Sequence, residues 1–156
     1  MTPQIDLALR DEIAADEEEA YAIVEGAIRK TIEVAQLSLP PEAELSVVLA
    51  GDETLQALNR EWRDKDKPTN VLSFPSEEVE PGETPGILLG DIVISMETTA
   101  REAELENKHP DHHFTHLIIH GFLHLFGYDH ETTTDAEIME SLETRILAEL
   151  NIENPY

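Results

Sequence analysis

The chain has 156 residues, room for a single domain over residues 1–156 with its own core. It contains no cysteine, which excludes disulfides and thiolate ligands, so any transition-metal site must be built from His and carboxylates. With 34 acidic and 10 basic side chains its formal charge is -24, which argues against non-specific binding to DNA, RNA or anionic membranes.

The first residues show neither a basic n-region nor an apolar h-region, and no run approaches a membrane span, so a cytoplasmic protein is expected. Ile5, Asp6, Leu7, Ala8 and Leu9 alternate and predict a strand. From Glu17 to about Leu37, Ala20, Ile23, Val24, Ala27, Ile28 and Thr31 recur at helical spacing. Residues 45–50, with Val47, Val48 and Leu49, read as a second strand. Asp52 can cap a helix that runs through Leu55 and Leu58 toward Trp62 and ends before Pro68.

Val71–Phe74 and Asp91–Ser95 read as two further strands. Between them Pro75, Pro81, Gly82, Pro85 and Gly86 exclude regular structure, leaving a long acidic loop. Three helices follow, at about Thr98–Glu106, Pro110–Phe126 and Asp135–Leu150, with Pro110 suited to a first helical position. Thr134 with Glu137 forms a capping-box pattern, and Ile138, Leu142, Ile146 and Leu150 form an apolar stripe behind it. This order implies one mixed four-stranded sheet packed against about five helices.

The most informative stretch is HLIIHGFLHLFGYDH, from His116 to His130. His120 and His124 are four apart, which on a helix brings their Cβ atoms to about 5–6 Å on one face. Gly127 can adopt the left-handed conformation that ends a helix and turns His130 back toward the pair. His120, His124 and His130 are therefore the candidate metal ligands. The frame is shared with metzincin proteases, but those carry Glu directly after the first His, where this chain has Gly121.

Three neutral imidazoles with an open fourth position form the pattern of catalytic rather than structural zinc. The plainer alternative makes His120 and His124 half-buried helix residues and His130 a surface residue. His112 and His116 continue the same face and His113 is near; His113 and His116 are expected to support the ligands or pack in the core, while His109 opens the helix. Asp129 is a candidate acceptor for a ligand imidazole N–H.

HGFLHLFGYDH together with NREWRDKDKPTNVLSF resembles the YbeY family of bacterial endoribonucleases and ribosomal RNA maturation factors. Gly90 with Asp91, the last helix with Glu140 and Leu142, and the terminal ENPY fit the same pattern. The chain departs from it at Asn70, where the family usually has Asp. The resemblance implies one α+β domain, one zinc ion on His120, His124 and His130, and a functional arginine at Arg60. It further implies single-strand-specific cleavage that matures the 3' end of 16S rRNA, ribosome quality control, and ribosomal RNA and the small ribosomal subunit as partners.

A planar guanidinium at Arg60 suits two phosphate oxygens. Arg63, Lys65 and Lys67 read as phosphate-positioning at best, because Glu61, Asp64 and Asp66 alternate with them. Trp62 and Phe74 read as core residues, so no base-stacking platform is expected. Two rivals remain. One is a small zinc metallopeptidase, disfavoured by Gly121. The other is a non-catalytic, zinc-stabilised assembly factor that binds a basic ribosomal or translation protein through its acidic surface.

Overall fold

Strands β2 (Glu44–Ala50) and β4 (Leu88–Ser95) carry apolar residues on both faces, and they occupy the middle of the sheet. In the computed structural model, which describes residues 2–156, Val47, Leu49, Ile92 and Ile94 have no solvent exposure. β1 (Gln4–Leu9) flanks β2 and β3 (Val71–Pro75) flanks β4, giving the order β1-β2-β4-β3. β1, β2 and β4 are parallel, with Leu9 opposite Leu49 and Leu49 opposite Ile94. β3 runs antiparallel to β4, with Leu72 opposite Val93. One mixed four-stranded sheet with five helices is thus the observed α+β architecture, as expected.

Because strand side chains alternate, the sheet feeds two cores. Leu45, Val47 and Leu49 of β2, with Ile92 and Ile94 of β4, pack against α1 (Glu17–Ala35), α4 (Pro110–Leu125) and α5 (Thr133–Glu149). On the other face Ala50, Leu72 and Val93 meet Leu55 and Leu58 of α2 (Asp52–Arg63). The remaining helix, α3 (Met96–Leu105), starts directly where β4 ends.

Helix α4 is buried around most of its circumference, which suits its apolar composition. Its close approach to the sheet depends on Gly121. A Cβ there would stand 3.0 Å from Ile92 Cγ2, 3.1 Å from Ser73 Oγ and 3.3 Å from Val71 Cγ2. Ser73 Oγ donates to the Gly121 carbonyl at 2.9 Å, tying the helix to β3. The residue that departs from the protease pattern therefore has a packing role.

Three local expectations are corrected. Helix α3 begins at Met96 rather than Thr98, because the Ser95 side chain, at the end of β4, already accepts the Thr98 N–H at 3.1 Å. Helix α5 is capped by Thr132, which accepts the Asp135 N–H at 3.1 Å, and not by the pair Thr134 and Glu137. Its buried residues are Met139, Glu143, Ile146 and Leu147, whereas Ile138 is exposed, because the inward face is centred on Met139, Glu143 and Leu147.

Candidate metal centre

His120 and His124 stand on the last two turns of α4. Beyond them the helix ends as the Gly127 and Tyr128 N–H groups bond back to the His124 and Leu123 carbonyls, with Gly127 at φ 93°. This turn returns His130 to the pair. Its ring centroid lies 5.4 Å from that of His120 and 5.1 Å from that of His124. One nitrogen from each ring falls within 4.8 Å of the others, so the three histidines read as ligands converge on one point.

The partners of the other ring nitrogens fix how the rings are used. His120 Nδ1 lies 2.7 Å from Glu143 Oε2, and His124 Nδ1 lies 2.8 Å from the Tyr128 carbonyl. Both acceptors need a hydrogen on Nδ1, which leaves the lone pair of each neutral imidazole on Nε2. These two Nε2 atoms face each other at 3.0 Å. Two lone pairs so placed repel unless a proton or a cation lies between them. Tetrahedral zinc with bonds of about 2.0–2.1 Å would hold its ligand nitrogens about 3.3 Å apart, so the residues fit that ion.

Glu143 has no solvent exposure. Burial works to raise its carboxyl, but hydrogen bonds from His116, His120 and Tyr156 outweigh it and hold the group down to about 2. His116 Nε2 lies 2.7 Å from Glu143 Oε1, and the Tyr156 hydroxyl donates to the same oxygen. Burial, followed by the hydrogen bond to Glu143 and then its charge, pushes the Tyr156 phenol upward, so it stays a donor. Burial, helped by repulsion from His120 and His130, lowers His124 to about 4 and keeps it neutral and able to ligate.

The other sequence candidates are dispersed. His116 bonds Glu143, which in turn bonds His120. His113 instead bonds Glu102 Oε1 at 2.8 Å, and Asn70 Nδ2 donates to the same atom at 2.9 Å. His109 caps α4, its Nδ1 accepting the Asp111 N–H at 3.1 Å. Asp129 accepts the Glu131 N–H and meets no imidazole; Glu143 and the Tyr128 carbonyl take that role. Sequence reasoning missed Glu143. The available signal was a charged residue at helical spacing from Met139 and Leu147, where a buried acid requires partners.

The triad opens into a cleft of about 1070 Å³. The end of α2 and the start of β3 also line it, and the buried side chain of Asn59 ties α2 to the segment before β3 by donating to the Lys67 carbonyl at 2.9 Å. Arg63 lines this cleft. Arg60 does not; its exposed guanidinium lies 3.4 Å from Asp66 Oδ1. Trp62 also lines the cleft and is 65% exposed, contrary to the core position expected for it. Its helical stripe, Leu55, Asn59, Trp62, runs beyond the small core before its last member.

Residues 7–151 match the family model described as Endoribonuclease YbeY. A relative named Endoribonuclease YbeY from Allorhizobium ampelinum is 61% identical over 118 residues, 75% of this chain and 70% of its own. One of the same name from Sinorhizobium medicae is 59% identical over 114 residues, 73% of this chain and 68% of its own. The solution structure of TM1509 from Thermotoga maritima shares the fold, with a TM-score of 0.60 at 22% identity over 95% of this chain and 92% of that one. With the family model spanning nearly the whole sheet and all five helices, and the relatives this close, the chain belongs to the endoribonuclease YbeY family.

Proposed function

We propose that the protein is a zinc-dependent, single-strand-specific endoribonuclease that matures the 3' end of 16S rRNA and serves ribosome quality control, its whole chain forming one catalytic domain. The observation that carries the metal part is the pair of Nε2 atoms, 3.0 Å apart, with both Nδ1 hydrogens committed elsewhere. His120, His124 and His130 would hold one zinc ion. Zinc in such a site acts as a Lewis acid on a phosphoryl oxygen and lowers the pKa of water.

The chain's own residues supply the rest. Glu143 and the Tyr128 carbonyl hold two of the imidazoles in the orientation that points Nε2 into the cleft. Arg63, which lines the same cleft, would steady charge on the non-bridging phosphate oxygens. Arg60, one turn earlier on α2, is the residue to which the family pattern assigned that task, and the two are separable by experiment. Ribosomal RNA in the small subunit would be the substrate. The acidic surface, with a formal charge of -24, suits basic ribosomal proteins as neighbours, and the protein would work in the cytoplasm. No helix among the described residues is long and apolar enough to cross a membrane.

The test combines metal analysis of the purified protein with cleavage of a 16S rRNA precursor by the wild type and by His124→Ala. One equivalent of zinc and cleavage near the 3' end are expected from the wild type, with both lost in a folded His124→Ala. A protein that binds no zinc, or a zinc-loaded protein that degrades unfolded casein and leaves RNA intact, would refute the reading.

A further inference from the structure

We propose that Trp62 is the stacking platform for an unpaired base of the RNA, forming a nucleotide subsite in the cleft that also holds the histidine triad. The inference rests on the endoribonuclease reading and adds to it the residue that selects single strands. Trp62 lies seven residues after Leu55 and three after Asn59, positions that share one helix face. Leu55 and Asn59 are buried, yet Trp62 is 65% exposed. The last turn of α2 thus carries a large aromatic side chain past the end of the core and into the cleft.

The indole is also held in place. Its ring meets Phe74 at a centroid distance of 6.2 Å and an interplanar angle of 63°, and Phe74 packs on the small core of Leu55, Leu72 and Val93. An edge-to-face contact of this kind fixes a ring without covering both of its faces. Asp64 closes α2 in the left-handed conformation, its N–H bonding the Asn59 carbonyl, so the backbone under Trp62 is anchored as well. A platform ordered before binding loses little entropy when a base arrives.

The charge in the cleft explains why stacking is needed. Glu78, Glu80, Asp129 and Glu131 line it, and beside the histidine triad Arg63 is the one Lys or Arg among the described lining residues. Phosphate contacts, which supply most of the affinity of ordinary nucleic-acid binders, are weak in such a setting. Base–aromatic stacking does not depend on net charge and tolerates any sequence, because every base has a π-face. In a duplex those faces are covered by neighbouring bases, so a stacking subsite admits only unpaired nucleotides.

Trp62 is the one tryptophan in the chain, so its emission reports the subsite directly. The full chain would be titrated with a mixed-sequence, single-stranded 2'-O-methyl oligonucleotide, its length checked after each titration, and with its duplex. Quenching by the single strand is expected, together with a loss of affinity of roughly 10- to 100-fold in Trp62→Ala by fluorescence anisotropy. Trp62→Phe should bind within about threefold of the wild type, since a phenyl ring still stacks. Weak duplex binding should be the same in all three. If the wild type cleaves RNA while Trp62→Ala binds the single strand undiminished, or Trp62 emission does not respond, the subsite is wrong and the nuclease reading stands. If the wild type neither binds nor cleaves any RNA, the nuclease reading fails and the subsite falls with it.

Discussion

The Glu143 Oε2 atom lies 2.7 Å from Nδ1 of His120, so a carboxylate on α5 decides which nitrogen of a histidine on α4 faces the cleft. Replacing it by Gln keeps the volume but exchanges a charge for a neutral amide between His116 and His120. Partners of this kind raise ligand basicity, and their loss costs about 10- to 100-fold in metal affinity. Glu143→Gln should therefore bind zinc that much more weakly in competition with a chromophoric chelator. Wild-type affinity in this variant would mean that the His120 ring is oriented by packing alone.

The convergence of His120, His124 and His130 was legible in the sequence because its geometry is local: four residues of helix, a glycine, and three residues of turn. Glu143 was not, since its approach to His120 depends on how α4 and α5 pack, which spacing within either helix does not state. Trp62 misled for a related reason. That it follows Leu55 and Leu58 at helical spacing is a property of α2, whereas the point at which the helix runs out of core is a property of the sheet beneath it. The strands, by contrast, announce themselves through alternation in β1, through short apolar runs in β2 and β4, and through the Pro and Gly residues between β3 and β4.

Gly121 separates the nuclease from the peptidase reading. The position offers a Cβ only 3.0 Å from Ile92 and 3.1 Å from Ser73, so a side chain there points into the sheet. Gly121→Glu would press a carboxylate against that wall rather than deliver it to the metal. A destabilisation of about 3 kcal/mol or more is expected from overpacking and an unpaired buried acid, measured by urea unfolding, with no gain of peptidase activity. A stable Gly121→Glu protein that cleaved casein would reverse the assignment.

Acid sensitivity should arise at the start of α2. The Asp52 carboxylate accepts from Ser95 Oγ at 2.6 Å and Thr98 Oγ1 at 2.5 Å and pairs with Arg101 at 2.8 Å. Burial pushes its pKa up, but these bonds prevail and hold it below the ordinary carboxylate value. The native state then binds fewer protons than the unfolded state as pH falls through about 4, so the stabilisation present above that range is lost below it. Urea midpoints measured from pH 7 to pH 3 should converge for the wild type and Asp52→Asn, the variant being less stable only at the upper end. Parallel curves would show that the carboxylate contributes no such linkage.

Arg60 and Arg63 make a paired test of the phosphate contact. They are three residues apart on α2, close enough that sequence cannot tell which one turns toward the metal. In the structure Arg63 lines the cleft with His120, His124 and His130, while Arg60 lies outside that lining beside Asp66. A guanidinium that meets charge developing in the transition state is worth roughly 10²- to 10³-fold in rate when removed. An exposed ion pair with Asp66 contributes little to folding or rate. Single-turnover cleavage of a single-stranded RNA should therefore fall by that factor in Arg63→Ala, with zinc content unchanged, and by no more than about threefold in Arg60→Ala. The reverse ranking would return the role to Arg60 and require α2 to rotate its last turn when RNA binds. Equal, large losses in both would mean that two guanidinium groups grip the phosphate together.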